Sequence, residues 1–207
     1  MRHGRGTVCA PWKIGAYPQM KLACILLAAG FSERYGDEDK LLAKIDGVPM
    51  LERMLRLYAS VPFAQRILVV RPEETAHIAL AERYGFTAVH NDHARRGIGS
   101  SAAVGAGAVS ADVDGALFSV ADQPYLTRRT IERLTEAFKA HPNGIVAPSY
   151  AGRRGNPVLF SGVFLPAFRA LDGDAGGGVI LRNNIDKLVT VELEAETELT
   201  DIDRKAE

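Results

Sequence analysis

Cysteine is scarce in this sequence: Cys9 and Cys24 are the only two in 207 residues. They are too few for a disulfide framework and too far apart for a zinc knuckle, so a reducing, cytoplasmic setting is expected and neither thiol needs a chemical role. Long apolar runs are missing as well. No stretch approaches the ~18 residues that a membrane-spanning helix requires. The opening MRHGRGTVCAPWKIGAYPQ has no apolar run behind Arg2 and Arg5, so no secretory signal and no membrane association are expected. That opening carries scattered Gly and Pro without periodicity; residues 1–19 are expected to be a disordered extension, with the folded domain spanning 20–207. An excess of either charge is absent too. Lys plus Arg number 25 and Asp plus Glu number 25, which leaves no broad basic field for a nucleic acid, so any anion site must be local. Finally, there is no HExxH and no nucleophile triad. His3, His77, His90, His93 and His141 show no metal-ligand spacing, and surface or helix-end placement is expected for them.

What is present is enough apolar material, 47% of residues, for one continuous core. Leu22 to Ala28 is an uninterrupted apolar run of strand length, the mark of a central strand buried on both faces. After it, Pro49 to Ala59 predicts a helix, Arg66 to Val70 a strand, Glu73 to Tyr84 a helix and Phe86 to Val89 a short strand. Ser100 to Val109 then predicts a helix of small residues, Ala116 to Val120 a strand, and Thr127 to Ala140 an amphipathic helix opened by a Thr cap. In the last third, Gly144 to Pro148 and Pro157 to Phe160 predict strands, Gly177 to Asn183 a short helix and Lys187 to Leu193 an edge strand. Such alternation implies a single-domain, Rossmann-like α/β sandwich of three layers with a mostly parallel sheet, whose ligands gather at the strand C-termini. Phe160, Phe164 and Phe168 recur every four residues, which points to core packing.

Three loops at that face carry candidate chemistry. The first strand delivers Ala28, Ala29 and Gly30 into FSERYGDEDK, where Arg34 and Lys40 are spaced to grip a polyphosphate together, unless they are merely solvated. No Gly-Lys-Ser/Thr follows Gly36, so this is not a P-loop. In NDHARRGIGSSAAVG, Gly97, Gly99 and Ala102 match a dinucleotide fingerprint, but several polar residues separate Gly97 from the strand ending at Val89, and that motif needs its first glycine directly behind the strand. Gly97 and Ser101 remain candidates to meet a base or ribose. In SVADQPYL the strand ends at Asp122, and Pro124 forbids the ladder to continue, so the carboxylate stands at a strand tip where a divalent cation could sit. A lone strand-end Asp is more often a turn or helix-capping residue, and a second acid, Asp201 or Asp203 in TDIDRK, is what would favour the cation.

Taken together, LAAGFSERYG with DKLL, GIGSSAAVG, ADQP, GRRGNPVLF, LDGD and DID follow one another at the intervals seen in the molybdenum cofactor cytidylyltransferases, within the MobA-like NTP transferase superfamily. From about Met20 to its end the sequence resembles that family. The resemblance implies a nucleotide-diphospho-sugar transferase-like fold. It also implies a magnesium-dependent transfer of CMP from CTP to molybdopterin phosphate, with release of pyrophosphate. Residue by residue, it implies that the amides of Ala28, Ala29 and Gly30 line the nucleotide, that Arg34 and Lys40 hold the triphosphate and that Gly97 and Ser101 meet the cytidine. Asp122 and Asp203 would bind Mg²⁺, with Asp201 the less favoured second ligand; Gly155, Asn156, Pro157 and Asp174 would face the pterin. Partners implied are CTP or another nucleoside triphosphate, a molybdopterin-type substrate, and a molybdenum hydroxylase or its chaperone. Ala28-Ala29-Gly30 favours the cytidylyl over the guanylyl branch, although three residues between Gly36 and Lys40 also occur in the latter. Where relatives read Gly-Asp-x-Gly-Ala-Arg, this chain has Gly at position 178, and Arg182 is a candidate substitute; after DID the chain reads RKAE instead of the usual Thr-Pro-Glu-Asp. A guanylyltransferase, another triphosphate-dependent nucleotidyltransferase and a non-catalytic nucleotide-binding accessory protein are the alternatives.

Overall fold

A computed structural model of the chain describes residues 20–31, 35 and 38–202; the extension expected at residues 1–19 lies outside these. In chain order the first half holds β1 (Leu22–Leu27), β2 (Lys44–Ile45), β3 (Val48–Pro49), α1 (Met50–Ala59), β4 (Gln65–Val70), α2 (Thr75–Arg83), β5 (Thr87–His90) and α3 (Ile98–Ala108). The second half holds β6 (Gly115–Val120), α4 (Arg128–Ala140), β7 (Ile145–Tyr150), β8 (Arg153–Arg154), β9 (Val158–Ser161), α5 (Leu165–Arg169), α6 (Gly177–Arg182) and β10 (Leu188–Glu192).

One eight-stranded sheet runs β10-β7-β9-β6-β1-β4-β5, with β8 hung on β7. β1, β4, β5 and β6 are parallel neighbours and β10 is parallel to β7, while β9 is antiparallel to both β6 and β7. β1 reads as an unbroken apolar run because it lies mid-sheet and feeds both cores. Leu22, Cys24 and Leu26 pack with α1 and α4 on one face, Ala23 and Ile25 with α3 and α5 on the other. Burial pushes the Cys24 thiol pKa well up, so it is an inert core side chain.

The small residues of α3 have a packing cause: a Cβ at Gly105 would stand 2.5 Å from Cγ2 of Ile25, so the helix can lie this close to the sheet only without one. α4 starts as expected, with the Thr127 hydroxyl accepting from the Thr130 amide at 3.2 Å, and buries Ile131, Leu134 and Phe138. Phe160, Phe164 and Phe168 are core residues as their spacing implied, in edge-to-face contacts centred on Phe160. Three pieces had not been anticipated, the two-residue strand β8 among them. β2 and β3 form a hairpin on Asp46 (φ 50°) and Gly47 (φ 79°), the Asp-Gly pair that such a turn favours. α5 is a short helix opened by Pro166.

From β1 the chain moves outward through β4 to β5, then returns to the other side of β1 as β6. Beyond the C-terminal ends of β1 and β6 the connections diverge, and that divergence opens the crevice in which α/β sheets bind ligands.

Candidate active site

A cavity of about 510 Å³ occupies this crevice, lined among others by Ala28, Ala29, Gly30, Lys40, Gly97, Ser101 and Asp122. The ladder holds both strand exits in place: the Ala28 amide donates to Val69 O at 2.8 Å and the Ala121 amide to Leu27 O at 3.1 Å. After β1 the next capped element begins at Asp39, whose carboxylate accepts from the Leu41 amide at 2.9 Å and caps a 3-10 turn, Lys40–Leu42. The cap turns Lys40 inward. Its Nζ donates to Asp122 Oδ2 at 2.8 Å, with the lysine side chain 9% and the aspartate side chain 22% exposed. Oδ1 of Asp122 is buried and makes no hydrogen bond among the described residues. A buried carboxylate oxygen without a donor is costly, and it marks where a cation would be welcome.

The other wall is the start of α3. Gly97 has φ 113°, and a Cβ there would meet the Gly173 carbonyl at 2.6 Å, so glycine is required twice over. Buried Asn91 donates to the hydroxyls of Ser100 and Ser101, each at 2.9 Å, which leaves the Ser101 proton available to the cavity. Sequence reasoning had missed Asn91; its only signal is an Asn directly behind β5. Asp174 is exposed, stands against Gly97 and lines neither this cavity nor the next.

Phe31, at the mouth, is sandwiched by two guanidiniums, Arg95 at 4.3 Å and Arg71 at 4.4 Å from the ring centre. Arg71 also donates to the Gly30 carbonyl at 3.0 Å and pairs with Glu74 at 2.6 Å. Beside them His77, expected at the surface or a helix end, lies in the first turn of α2 but is fully buried. Asp39, Glu74 and His77 present ligand-type atoms within 4.8 Å of one another, a spacing that one divalent ion could bridge. Arg34 and Asp203 lie outside the described residues. The C-terminal segment nevertheless reaches the site: Glu198, buried, accepts from the Thr127 amide and the Thr127 and Thr130 hydroxyls, and the Ile202 amide donates to Asp122 O at 3.0 Å. Asp201, the alternative acid, is exposed.

A second cavity, about 520 Å³, adjoins the first and shares Leu27, Ile98 and Val120 with it. Phe118, Phe160 and Phe168 line it together with Arg154, Gly155, Asn156 and Arg182. Pro157 is buried and lies outside the lining. Phe118 and Phe168 stack at 3.9 Å. The Arg182 guanidinium folds back over Gly178, 3.5 Å from where a Cβ would stand.

Residues 24–190 match the MobA-like NTP transferase domain. No curated protein matches the chain. Among solved structures it is similar to Rv0371c from Mycobacterium tuberculosis H37Rv, at 23% identity and TM-score 0.77 over 89% of this chain and 94% of that one. A manganese complex of Rv0371c aligns at 22% identity and TM-score 0.71 over 84% and 89%. A nucleotidyl transferase from a Methanothermobacter aligns at 20% identity and TM-score 0.75 over 89% and 92%. CMP:2-keto-3-deoxy-manno-octonic acid synthetase, complexed with CTP, aligns at 14% identity and TM-score 0.65 over 84% and 90%. At these identities the likeness is one of fold.

Proposed function

This chain belongs to the MobA-like NTP transferase domain family, and from that premise we propose that it transfers CMP from CTP to the phosphate of molybdopterin, releasing pyrophosphate. Nucleotidyl transfer is the chemistry of the family. The cytidine and the pterin rest on the motifs in order along the sequence. The observation that carries the reading is the tip of β6: Asp122 with one oxygen on Lys40 and the other buried and without a hydrogen-bond partner among the described residues. The same fold holds CTP in the synthetase and manganese in Rv0371c, which supports a nucleotide and a divalent cation as ligands here.

An acceptor phosphate oxygen attacks the α-phosphorus in line, one P–O bond forming as the bond to pyrophosphate breaks. A phosphate monoester with a second pKa near ~6 is already largely dianionic at neutral pH, so the protein need supply no general base. What it must supply is position and positive charge. The amides of Ala28 to Gly30 would lie against the nucleotide, Lys40 would hold its phosphates together with Arg34, whose role rests on the sequence motif alone, and Ser101 with Gly97 would bound the cytidine. Mg²⁺, held by Asp122 through its open oxygen and by Asp203, would neutralise charge on the triphosphate. The second cavity would take the acceptor, with Gly155 and Asn156 in its lining; Pro157, buried behind them, and Asp174, which stands against Gly97, do not line it.

Pyrophosphate release measured with CTP, GTP, ATP and UTP, with and without molybdenum cofactor, tests this. Release with CTP and cofactor alone is expected. Release with GTP would reassign the base, and tight CTP binding without release under any acceptor would favour an accessory protein.

A further inference from the structure

We propose that Glu198 is a positioning residue for Asp122: bound at the start of α4, it fastens a C-terminal strap, residues 196–202, that holds Asp122 in the first cavity and meets Gly155 in the second. The inference rests on the assignment of Asp122 to the reaction. Glu194, Glu196 and Asp201 are exposed, whereas Glu198 and Leu199 are buried. Both turn inward from one 3-10 turn, Glu196–Leu199, and each meets a matching seat. Glu198 meets donors: its Oε2 accepts from the Thr127 amide at 3.1 Å and from the Thr127 and Thr130 hydroxyls at 2.9 and 2.6 Å. They stand at the start of a 13-residue helix, the end whose dipole favours a carboxylate. Leu199 meets a missing side chain: a Cβ at Gly155 would stand 2.5 Å from its Cδ2.

On the side of the site, the sheet stops short of Asp122. The Ala121 amide still bonds to Leu27 O, but Asp122 is past the end of β6, and Pro124 has no amide to offer. The strap supplies what the ladder does not. The Ile202 amide donates to Asp122 O at 3.0 Å, and Ile202 packs against the core that holds Leu22, Cys24 and Leu26. Glu198 holds the other end of the same connection, at Thr127. Lys40 sets the direction of the Asp122 carboxylate, and the strap sets the backbone that carries it. Because Gly155 lines the second cavity and Asp122 the first, a loosened strap acts on both.

Stabilising α4 does not account for this arrangement. The helix is capped without Glu198, because the Thr127 hydroxyl already accepts from the Thr130 amide. What Glu198 adds is a tie between the helix start and a segment from far along the chain. The other charged contact of the strap is weak: Arg153 and Glu196 meet at 2.8 Å, but their side chains are 58% and 61% exposed, where water screens the pair. The attachment therefore falls on the buried Glu198 and Leu199.

Amide hydrogen exchange at Ile202 and the kcat of pyrophosphate release, compared in wild type, Glu198→Ala, Glu198→Gln and Leu199→Ala, test the strap. In Glu198→Ala, exchange at Ile202 should rise roughly tenfold, the scale of one lost hydrogen bond to a charged group, and kcat should fall by a similar factor. Glu198→Gln keeps an oxygen for the same donors and should restore most of both. Leu199→Ala leaves the contacts with α4 in place, so it should free Ile202 with exchange at Ile131 unchanged; it also stands in if Glu198→Ala fails to fold. Exchange at Ile202 indifferent to Glu198→Ala and Leu199→Ala would overturn the inference, and so would a freed Ile202 with unchanged kcat. Faster exchange confined to Thr130 and Ile131 would reduce Glu198 to a helix cap. A wild type that releases no pyrophosphate would count against the proposed function, and the Ile202 readout would still decide whether Glu198 fastens the strap.

Discussion

Of the two cavities at the strand ends, about 510 and 520 Å³, the first is walled by main chain and by charges already paired on its floor, the second by aromatic rings and guanidiniums without partners. In the first, Lys40 rests on Asp122, and the lining Arg95 lies over the ring of Phe31. In the second, Arg154 and Arg182 are exposed and make no hydrogen bond or ion pair among the described residues. Paired, half-buried charges are held in place before a ligand arrives, and removing one leaves the other unsatisfied. Exposed, unpaired cations hold nothing in the empty protein and can contribute only when a ligand supplies the anion.

The sharpest way to break this contrast is at the pair. Asp122→Ala and Lys40→Ala are each expected to lower turnover by ~10²–10³ with the fold retained, the usual cost of one charge-stabilising group. Because the two side chains act on one another, the double variant should be little worse than either single one. Steady-state rates of pyrophosphate release, with circular dichroism as a control for folding, check this. Near-normal activity in either single variant would remove the pair from the chemistry.

A smaller effect, confined to one substrate, is expected in the second cavity. Arg182→Ala removes a cation that lies over Gly178, in space no side chain at 178 fills. If that cavity takes the phosphorylated acceptor, acceptor KM should rise about tenfold, the scale of one charge-assisted contact. Affinity for the nucleotide, measured by calorimetry without acceptor, should not move. A loss of nucleotide affinity would mean that the two cavities are one site.

The contrast also explains what could be read from sequence. β1, β4 and β6 announce themselves because a strand buried on both faces must be apolar throughout, and Asp122 because Pro124 ends the ladder behind it. Ala28, Ala29, Gly30, Lys40, Gly97, Ser101 and Asp122, chosen from three separate loops, line a single cavity. Those segments are strand exits, and the topology sends every such exit to one face. The rest depends on contacts between distant residues whose own neighbourhoods say nothing. His77 sits in an ordinary helix start, and its partner Asp39 comes from another loop. Glu198 lies in an acidic stretch, and only folding brings it to the cap of α4. The Asp-Gly turn of the small hairpin was legible in principle; at two residues each, its strands are too short to show an alternation.

The smallest effect belongs where neither cavity reaches, at the start of β1. Lys21 Nζ meets Asp112 Oδ2 at 2.6 Å, and Lys21, helped by the Ser110 hydroxyl, holds the Asp112 carboxyl down to about 2. The contact is short, but the two side chains are 58% and 63% exposed, where water and salt screen the pair and ordering two flexible side chains offsets most of the attraction. The depressed value gives the sign: any stabilisation is present above the ordinary aspartate value of about 3.9 and is lost as pH falls toward 2. Urea midpoints of wild type and Asp112→Asn should therefore differ slightly at pH 7, differ less at high salt, and converge as pH is lowered, with nucleotide affinity unchanged throughout. A gap that persisted at low pH would show that the substitution had disturbed the Lys21 backbone, whose amide donates to neighbouring Asp114 at 2.7 Å, and not the ion pair.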